Sequence, residues 1–277
     1  MTRKALVVLS GGQDSTTCLF WARQHFDEVH AVTFDYNQRH RRELTAARRV
    51  AFLAGVKSHE FVTLGPILKG RSPLTDPQAK LEQYEDHDQM EKIIGDRVEL
   101  TFVPMRNALF LTLAANRALC LAGDDGVVPT VVTGVCEADN ANYPDCRQSF
   151  VDSMQDMVYQ ALGIDAGFQI ATPLMTMSKP QSVLLARQIP GAYETLAFSH
   201  TAYDGAYPPV GKDHATVLRA HGFVAAGLPD PLVLRAAMID GAMELPSTLN
   251  YSNPEVNDHV ISVVRTYQTA LEIEGLL

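Results

Sequence analysis

The feature that most constrains this chain is a seven-residue string, Ser10-Gly11-Gly12-Gln13-Asp14-Ser15-Thr16, directly after an apolar run. The run, Ala5 to Leu9, predicts a buried parallel strand, and residues 14–23 predict a helix. Glycines let the backbone approach a ligand closely, and a helix start favours an anion. The string therefore predicts a phosphate-binding loop between a first strand and a first helix.

Side chains of this loop extend the prediction. Ser10, Ser15 and Thr16 offer hydroxyl donors, whereas Asp14 would repel phosphate and is expected to act through Mg²⁺. The spacing is not that of a Walker A loop. A plain turn with an Asp or Ser cap is the structural alternative, but the complete string is far more specific than two glycines.

The rest of the chain alternates strand-like and helix-like segments. Strands are predicted at 29–34, 58–62, 127–133 and 168–171, and helices at 41–54, 107–121, 148–162 and 179–188. This alternation predicts an α/β fold, with a doubly wound, mostly parallel five-stranded sheet and helices on both faces.

Two regions fall outside this alternation. Residues 65–99 are polar and too long for a simple connection, so we expect a lid or an insertion. Residues 232–277 are expected to form a helical extension packed on a main domain of residues 1–231.

Charge and composition exclude some classes of protein. The net charge of −9 argues against a nucleic-acid partner. No apolar run reaches the ~20 residues of a membrane span, and no signal peptide is evident, so we expect a cytoplasmic protein. The four cysteines show no C-x-x-C spacing and predict neither a disulfide framework nor a zinc signature.

Further polar strings follow the predicted strands. They are residues 33–40 (TFDYNQRH), 101–107 (TFVPMRN), 133–139 (TGVCEAD), 143–147 (YPDCR) and 172–175 (TPLM), with Lys179 shortly after. Because ligands of open α/β sheets bind at the carboxyl ends of the strands, these strings should converge on the phosphate loop.

Together these strings resemble the QueC family of PP-loop ATP pyrophosphatases, the 7-cyano-7-deazaguanine synthases, from the start to about residue 231. The resemblance implies an adenine nucleotide alpha hydrolase-like fold, with ATP and Mg²⁺ as cofactors and a homodimer as a candidate assembly. It implies that ATP is cleaved to AMP and pyrophosphate while the carboxylate of 7-carboxy-7-deazaguanine becomes an adenylate. It further implies that ammonia then gives the amide and that a second activation gives the nitrile.

The resemblance also assigns roles to residues. Asp14, Arg39, Arg106 and Lys179 would form the catalytic set, with the cations balancing charge as the adenylate forms. ATP would be bound by the loop (Ser10, Gly11, Gly12, Gln13, Asp14, Ser15, Thr16) together with Phe34 and Gly134. The deazaguanine would be bound by Tyr36, His40, Asn107, Glu137, Asp139, Tyr143, Asp145 and Arg147.

Each of these side chains has a structural alternative when taken singly. Asp145 or Glu137 can accept two hydrogen bonds from a guanine-like edge, and Tyr143 can stack on the base. Equally, Asp145 can serve as a helix cap. Arg39 belongs to a basic run that is typical of a solvated helix start, and His40 alone would be a surface or packing histidine.

The zinc site of the family is where the resemblance breaks. Four thiolates are expected there, but Ala202, Val210, Asp213 and Thr216 stand in their places. Ala and Val cannot bind metal, and Asp213 with His200 or His214 does not complete a tetrahedral set. We therefore expect no zinc, and we expect another contact, with the extension as a candidate, to hold this segment. Met105 and Asn37 also replace glycines of the family pattern.

Three functions are compatible with this sequence. The first is 7-cyano-7-deazaguanine synthesis with ammonia as the acceptor. The second, known for QueC-like proteins of anti-phage systems such as type IV CBASS, passes the activated deazaguanine to an amine of a partner protein. The third is a non-catalytic nucleotide-binding protein, which the intact phosphate loop disfavours.

Overall fold

The computed structural model describes residues 2–76, 78–123, 126–137, 142–244 and 254–273. Its centre is a five-stranded parallel sheet in the order β3-β2-β1-β4-β5. The strands are β1 Lys4–Val8, β2 Glu28–Asp35, β3 Ser58–Thr63, β4 Thr130–Val132 and β5 Ile170–Ala171. The predicted doubly wound α/β fold is confirmed.

Two strands are shorter than predicted. β4 begins at Thr130 rather than at residue 127, because Pro129 has no N–H to donate to a sheet ladder. β5 begins at Ile170 rather than at residue 168, although Phe168 is buried in the core. In register, Ala5 of β1 lies opposite Val29 of β2 and Thr130 of β4.

Helices cover both faces of the sheet. Those of the alternating region are α1 Gln13–His25, α2 Arg42–Ala54, α3 His87–Ile94, α4 Arg106–Cys120, α5 Gln148–Leu162 and α6 Lys179–Gln188. α5 and α6 have the predicted bounds. α2 ends as predicted at Gly55, whose φ of 62° lies in the left-handed region.

Each face of the sheet has its own apolar core. On one face Leu19 of α1 and Val50 of α2 pack in the same cluster as Val183 of α6. On the other, Leu111 of α4 and Val151 of α5 cluster with sheet residues. The sheet is therefore buried on both sides, which accounts for the unbroken apolar strands.

Residues 65–99 pack against the body of the protein. The main-chain N–H of Arg39 donates to the Leu74 carbonyl at 3.0 Å. Further along, Tyr84 and Met90 form a buried cluster with Val217 and Leu218, which lie on a later helix. The segment is thus an insertion with its own helix, α3.

The remaining helices lie after the sheet. They are α7 Ala192–Thr195, α8 His214–Ala226, α9 Pro231–Leu234 and α10 Pro254–Ile273, with 3₁₀ turns at Pro144–Cys146 and Leu196–Phe198 and a π-helical turn at Arg235–Ile239. Val260, Val264 and Leu271 of α10 are buried in the core that also contains Phe20 and Tyr193. The described part of the extension thus packs on the main domain at α7 and α9.

Within the described residues, no individual helix has the length and apolarity needed to cross a membrane. One bent pair, His214–Ala226 with Pro231–Ile239 at 101°, meets the criterion by length and composition.

Candidate active site

A cavity of about 520 Å³ opens at the carboxyl ends of the strands. Its walls come from the ends of β1, β2 and β4, from the starts of α1, α2, α4 and α6, and from α8. Lys179 and four of the five polar strings predicted to converge here contribute to the lining, whereas the string at 172–175 does not.

The phosphate loop forms the floor of the cavity. Gly12 precedes α1 as its N-cap and has an extended backbone. The first N–H groups of the helix have no helical partners and point out of its end. The side chains stiffen the turn: the Ser10 and Ser15 hydroxyls lie 2.9 Å apart, and Thr16 Oγ1 donates to the Gly12 carbonyl at 2.7 Å. This arrangement suits the binding of an anion.

Two glycines allow close backbone packing around this loop. Gly11 has a φ of 84°, and a Cβ there would lie 2.5 Å from the carbonyl oxygen of Glu43. A Cβ on Gly134 would lie 3.1 Å from the Ser15 nitrogen. A side chain at either position would push the loop away from α2 or from β4.

An ion pair joins the loop to α6. The Lys179 ammonium donates to Oδ2 of Asp14 at 2.8 Å, and the two side chains are 7% and 23% exposed. Lys179 is the first residue of α6, which begins with a capping box of Ser178 and Gln181. Its stem packs on Gly222 of α8, where a Cβ would approach Lys179 Cγ to 2.4 Å.

Arg106 lies among tyrosines on the opposite wall. The nearby phenols are those of Tyr36, Tyr143 and Tyr203, and burial raises the pKa of Tyr36 to about 12. α4 begins at Arg106 because Met105, 69% exposed, adopts a φ of 65° before it. The tyrosines remain neutral, so this wall combines flat apolar faces with one permanent positive charge.

Two other predicted cations differ in their contacts. Arg39 lines the cavity, but its guanidinium also donates to the carbonyls of Pro73 and Ala79 and so holds the insertion in place. Arg147 lines the cavity mouth and is exposed.

The predicted deazaguanine residues are also engaged with the protein. Tyr143 Oη donates to Glu99 at 2.9 Å, and Glu137 Oε1 accepts the main-chain N–H of Gln148 at 2.8 Å. Asn107 Nδ2 donates to the Asp145 carbonyl at 3.2 Å. Tyr143, Glu137 and Asn107 nonetheless line the cavity.

The structure does not bring every predicted residue to the cavity surface. Of the described ones, Gly11, Thr16 and Asp145 lie behind the lining. Asp145 accepts the N–H of Asn107 at 3.4 Å, so it contacts the start of α4 rather than the helix that follows it in sequence. Asp139 lies outside the described residues.

Several lining residues were not predicted, among them Gln38, Glu43, Tyr203 and Arg219. The helical spacing of the sequence could have indicated Glu43. It lies four residues before Ala47 and seven before Val50, and therefore on the buried face of α2. Burial raises the pKa of Glu43 to about 7. No comparable periodicity distinguishes Tyr203, which lies in a loop.

The four positions expected to hold thiolates form no metal site. Ala202 is buried, Val210 is 62% exposed, and the Asp213 carboxylate accepts the Thr216 N–H at 3.1 Å as the cap of α8. Within the described ranges no group of three His, Cys, Asp or Glu side chains could hold a metal ion. These residues do not fit zinc.

The region is held by a buried ion pair instead. Arg219 donates to Asp230 through Nε and Nη2, at 2.7 and 2.8 Å, and through Nη1 to Ser199 at 2.8 Å. Asp230 precedes the extension, but α10 packs elsewhere. The first residues of the extension also contact this segment: Tyr207 Oη donates to Asp240, and the Arg235 guanidinium lies 4.9 Å from the centre of the Tyr207 ring. Contacts from the extension therefore join those of Arg219 and the Asp213 cap in this region.

The donors at the loop fit Mg²⁺ better than they fit zinc. Magnesium is commonly held by one or two carboxylates, phosphate oxygens and water. Asp14 supplies one carboxylate facing the cavity beside the phosphate loop. The Asp14 carboxylate and the phosphate oxygens of a bound nucleotide would together hold the ion.

Known proteins provide an independent comparison. A family model described as "Queuosine biosynthesis protein QueC" matches residues 4–227. A 7-cyano-7-deazaguanine synthase of Gloeobacter violaceus is 51% identical over 233 residues, which are 83% of this chain and 95% of that protein. Those of Chromobacterium violaceum and Laribacter hongkongensis are 47% and 45% identical, over 84% of this chain and 94% and 95% of theirs.

One solved structure also aligns, the crystal structure of a 4-thiouridine synthetase–RNA complex with bound ATP. The alignment covers 99% of this chain and 53% of that one, with 16% identity and a TM-score of 0.38, too low to carry a conclusion.

Proposed function

Because this chain belongs to the QueC family, we propose that it is a 7-cyano-7-deazaguanine synthase that uses ATP to convert the carboxylate of 7-carboxy-7-deazaguanine into a nitrile. The observation that carries the proposal is one cavity with two unlike walls. A phosphate loop with the Asp14–Lys179 pair faces a wall of tyrosines around Arg106. The first suits a triphosphate, and the second suits a flat base that bears a carboxylate.

Binding of the triphosphate is assigned to the loop. Its phosphates would meet the first N–H groups of α1 and the hydroxyls of Ser10 and Ser15. Asp14 would hold Mg²⁺, which supplies charge neutralisation on the phosphate oxygens when bound. Phe34 and Gly134, which also line the cavity, would contact the nucleoside.

The deazaguanine is assigned to the opposite wall. Tyr36 and Tyr143 offer faces or edges to a planar ring. Arg106 is placed to attract the substrate carboxylate and to hold it towards the phosphates. Glu137 and Asn107 are the polar side chains proposed to form hydrogen bonds with the edge of the base.

Adenylation then follows as an in-line displacement. A carboxylate oxygen forms a bond to the α-phosphorus while the bond from that phosphorus to the bridging oxygen breaks, and pyrophosphate leaves. Negative charge grows on the pyrophosphate. Lys179 and the start of α1 stabilise it, which is the kind of preorganised electrostatics that lowers a barrier most.

The nitrogen step uses the same cavity. Ammonia attacks the activated carbon, AMP leaves with the carboxyl oxygen, and the product is the amide. A second ATP then activates the amide oxygen in the same way, with release of pyrophosphate and of one N–H proton. Departure of AMP and of the second N–H proton gives the nitrile.

A partner-protein amine is a second acceptor compatible with the sequence. It would need an open groove, and residues 65–99 and the extension are the regions with room to form one. The insertion does reach the cavity, through Leu74, but the described part of α10 packs on α7 and α9. The names of the relatives, 7-cyano-7-deazaguanine synthases, support ammonia as the acceptor. A partner protein and a homodimer are additional proposals.

Product analysis tests the assignment. With 7-carboxy-7-deazaguanine, ATP, Mg²⁺ and ammonium, we expect AMP, pyrophosphate and a product with the mass of the nitrile. Release of ADP would refute it. Intact-mass spectrometry of candidate partner proteins, incubated without ammonium, separates the acceptors, because a deazaguanine adduct would assign the protein amine instead.

A further inference from the structure

Glu43 is a cavity-lining carboxyl to which the reaction above gives no task. It lies in the first turn of α2, one helix away from the phosphate loop. Its Oε1 accepts a hydrogen bond from Gln38 Nε2 at 2.7 Å, and Gln38 Oε1 accepts the main-chain N–H of Tyr36 at 3.0 Å. The carboxyl is therefore fixed in direction by the loop that follows β2.

The position of Glu43 is between the two walls that hold the reactants. Its own main chain packs on Gly11 of the phosphate loop. The charge of Arg106, the residue assigned to the substrate carboxylate, also acts on it. With the assignments proposed above, the carboxyl carbon meets the α-phosphate between these walls, in the cavity that Glu43 lines.

The other described acids that line the cavity are already engaged. Asp14 is paired with Lys179 at the phosphates, and Glu137 accepts the N–H at the start of α5. Glu43 differs because the side chain that donates a hydrogen bond to it, Gln38, is a neutral amide. Gln38 binds the Oε1 atom of Glu43, so Oε2 is the oxygen proposed to accept a proton.

We propose that Glu43 is the catalytic base of the nitrogen step, taking a proton from the amine as it attacks the adenylate. The inference rests on the function proposed above. The nitrogen lone pair forms the C–N bond, one N–H proton passes to a Glu43 oxygen, and the C–O bond to AMP breaks with its electron pair on the phosphate. The proton then leaves to solvent, and the carboxylate is restored.

Electrostatics around Glu43 are compatible with this task. Burial raises its pKa to about 7, Asp35 at the end of β2 adds to the rise, and Gln38 and Arg106 oppose it. Asp14 of α1, a helix that packs on α2, lines the same cavity, and the turn Leu196–Phe198, which also packs on α2, carries no titratable side chain. A base with a pKa near the working pH is the most effective proton acceptor.

Two half-reactions separate this role from structural ones. Exchange of labelled pyrophosphate into ATP, dependent on 7-carboxy-7-deazaguanine, measures adenylation alone, and amide plus nitrile formation measures nitrogen transfer. In Glu43→Gln we expect exchange to stay within about threefold of the wild type and transfer to fall about 100-fold, the usual size of a general-base effect. Glu60→Gln, on β3 and paired with Arg117 outside the cavity, should change neither.

The pH profile gives a second readout. At a constant concentration of unprotonated ammonia, wild-type transfer should rise as pH passes about 7. The rise should be retained in Glu43→Asp and lost in Glu43→Gln. If Glu43→Gln does not fold, the profiles of the wild type and Glu43→Asp still decide the matter, because a flat wild-type profile overturns the proposal.

Other outcomes also overturn it. Unchanged transfer in Glu43→Gln would exclude the base. Glu43→Gln could instead raise the KM for 7-carboxy-7-deazaguanine in pyrophosphate exchange and leave the ratio of the transfer rate to the exchange rate unchanged. That result would assign Glu43 to recognition of the base. A wild type without exchange would refute the proposed function itself, and that result does not depend on any variant.

Discussion

Lys179 and Asp14 are 165 residues apart in sequence, yet their side chains meet at 2.8 Å between the first turns of α6 and α1. The contact fixes the Lys179 ammonium beside the phosphate loop, where the Lys179 side chain is almost fully buried. It couples the two helices that frame the loop.

Asp14→Ala should abolish adenylation while the protein remains folded. Without the carboxylate, Mg²⁺ loses its protein ligand and Lys179 its partner, so kcat for pyrophosphate release should fall at least about 100-fold. Thermal unfolding and a pyrophosphate assay measure the two effects. Asp156→Asn, an exposed change on α5, is the control, and full activity of Asp14→Ala would remove Asp14 from the mechanism.

Gly222→Ala tests how Lys179 is positioned. The new Cβ would lie 2.4 Å from Lys179 Cγ, near the fixed base of the side chain, so the ammonium must move. Alanine otherwise favours a helix by about 1 kcal/mol. We expect kcat to fall at least about tenfold, since misplacement by about 1 Å is costly. Ala225→Ser on the exposed face of α8 should leave kcat unchanged, and an unaltered kcat in Gly222→Ala would contradict the packing argument.

The Arg219–Asp230 pair should be a major source of local stability. Removing one partner of a buried, hydrogen-bonded pair typically costs about 3–5 kcal/mol, so Arg219→Ala should lower the free energy of unfolding by about that amount. Urea denaturation measures it. The exposed Arg3–Asp27 pair gives the contrast, because Arg3→Ala should lower the free energy of unfolding far less than Arg219→Ala does.

Metal analysis of the dialysed protein should find far less than one zinc per chain. The residues at the four ligand positions are Ala202, Val210, Asp213 and Thr216, and Asp213 is already used as a helix cap. A variant with cysteine at all four positions would serve as a comparison for zinc uptake. One tightly bound zinc in the unmodified protein would show that His200, His214 and Asp213 converge with a fourth ligand.

His200 should make the fold sensitive to mild acid. Burial, followed by the neighbouring His40, lowers the pKa of His200 from 6.5 to about 4. The folded state therefore binds fewer protons than the unfolded state between these values, and stability is lost as pH falls from about 6.5 to 4. The loss is at most about 3 kcal/mol. His200→Gln should reduce it in urea titrations at pH 7 and pH 5, and an identical loss in both proteins would refute the assignment.

Much of this fold could be predicted because its signals are local. Buried parallel strands appear in the sequence as apolar runs. Because ligands of such sheets bind at the carboxyl ends of the strands, the sequence predicts that Arg106 and Lys179 line one site with the phosphate loop, and both line the cavity. The bounds of α5 and α6 followed from apolar spacing and from the change of composition at each helix end.

What escaped prediction depends on tertiary contacts. Glu43 is set on the cavity wall by the packing of α2 against Gly11. The Arg219 network depends on Ser199 and Asp230, which lie on separate segments. Asp145 lies just before α5 in sequence, where it could cap that helix, but its carboxylate contacts the start of α4. The contact depends on how the two helices pack and not on the residues next to Asp145 in sequence.

The cavity takes its lining from residues as early as Val8 and as late as Arg219. During translation the phosphate loop is synthesised well before Gly222, which contacts the stem of Lys179. A nascent chain thus contains the phosphate loop before it contains the cavity wall that α8 contributes. We therefore expect productive binding of ATP only after α8 has been synthesised and has docked.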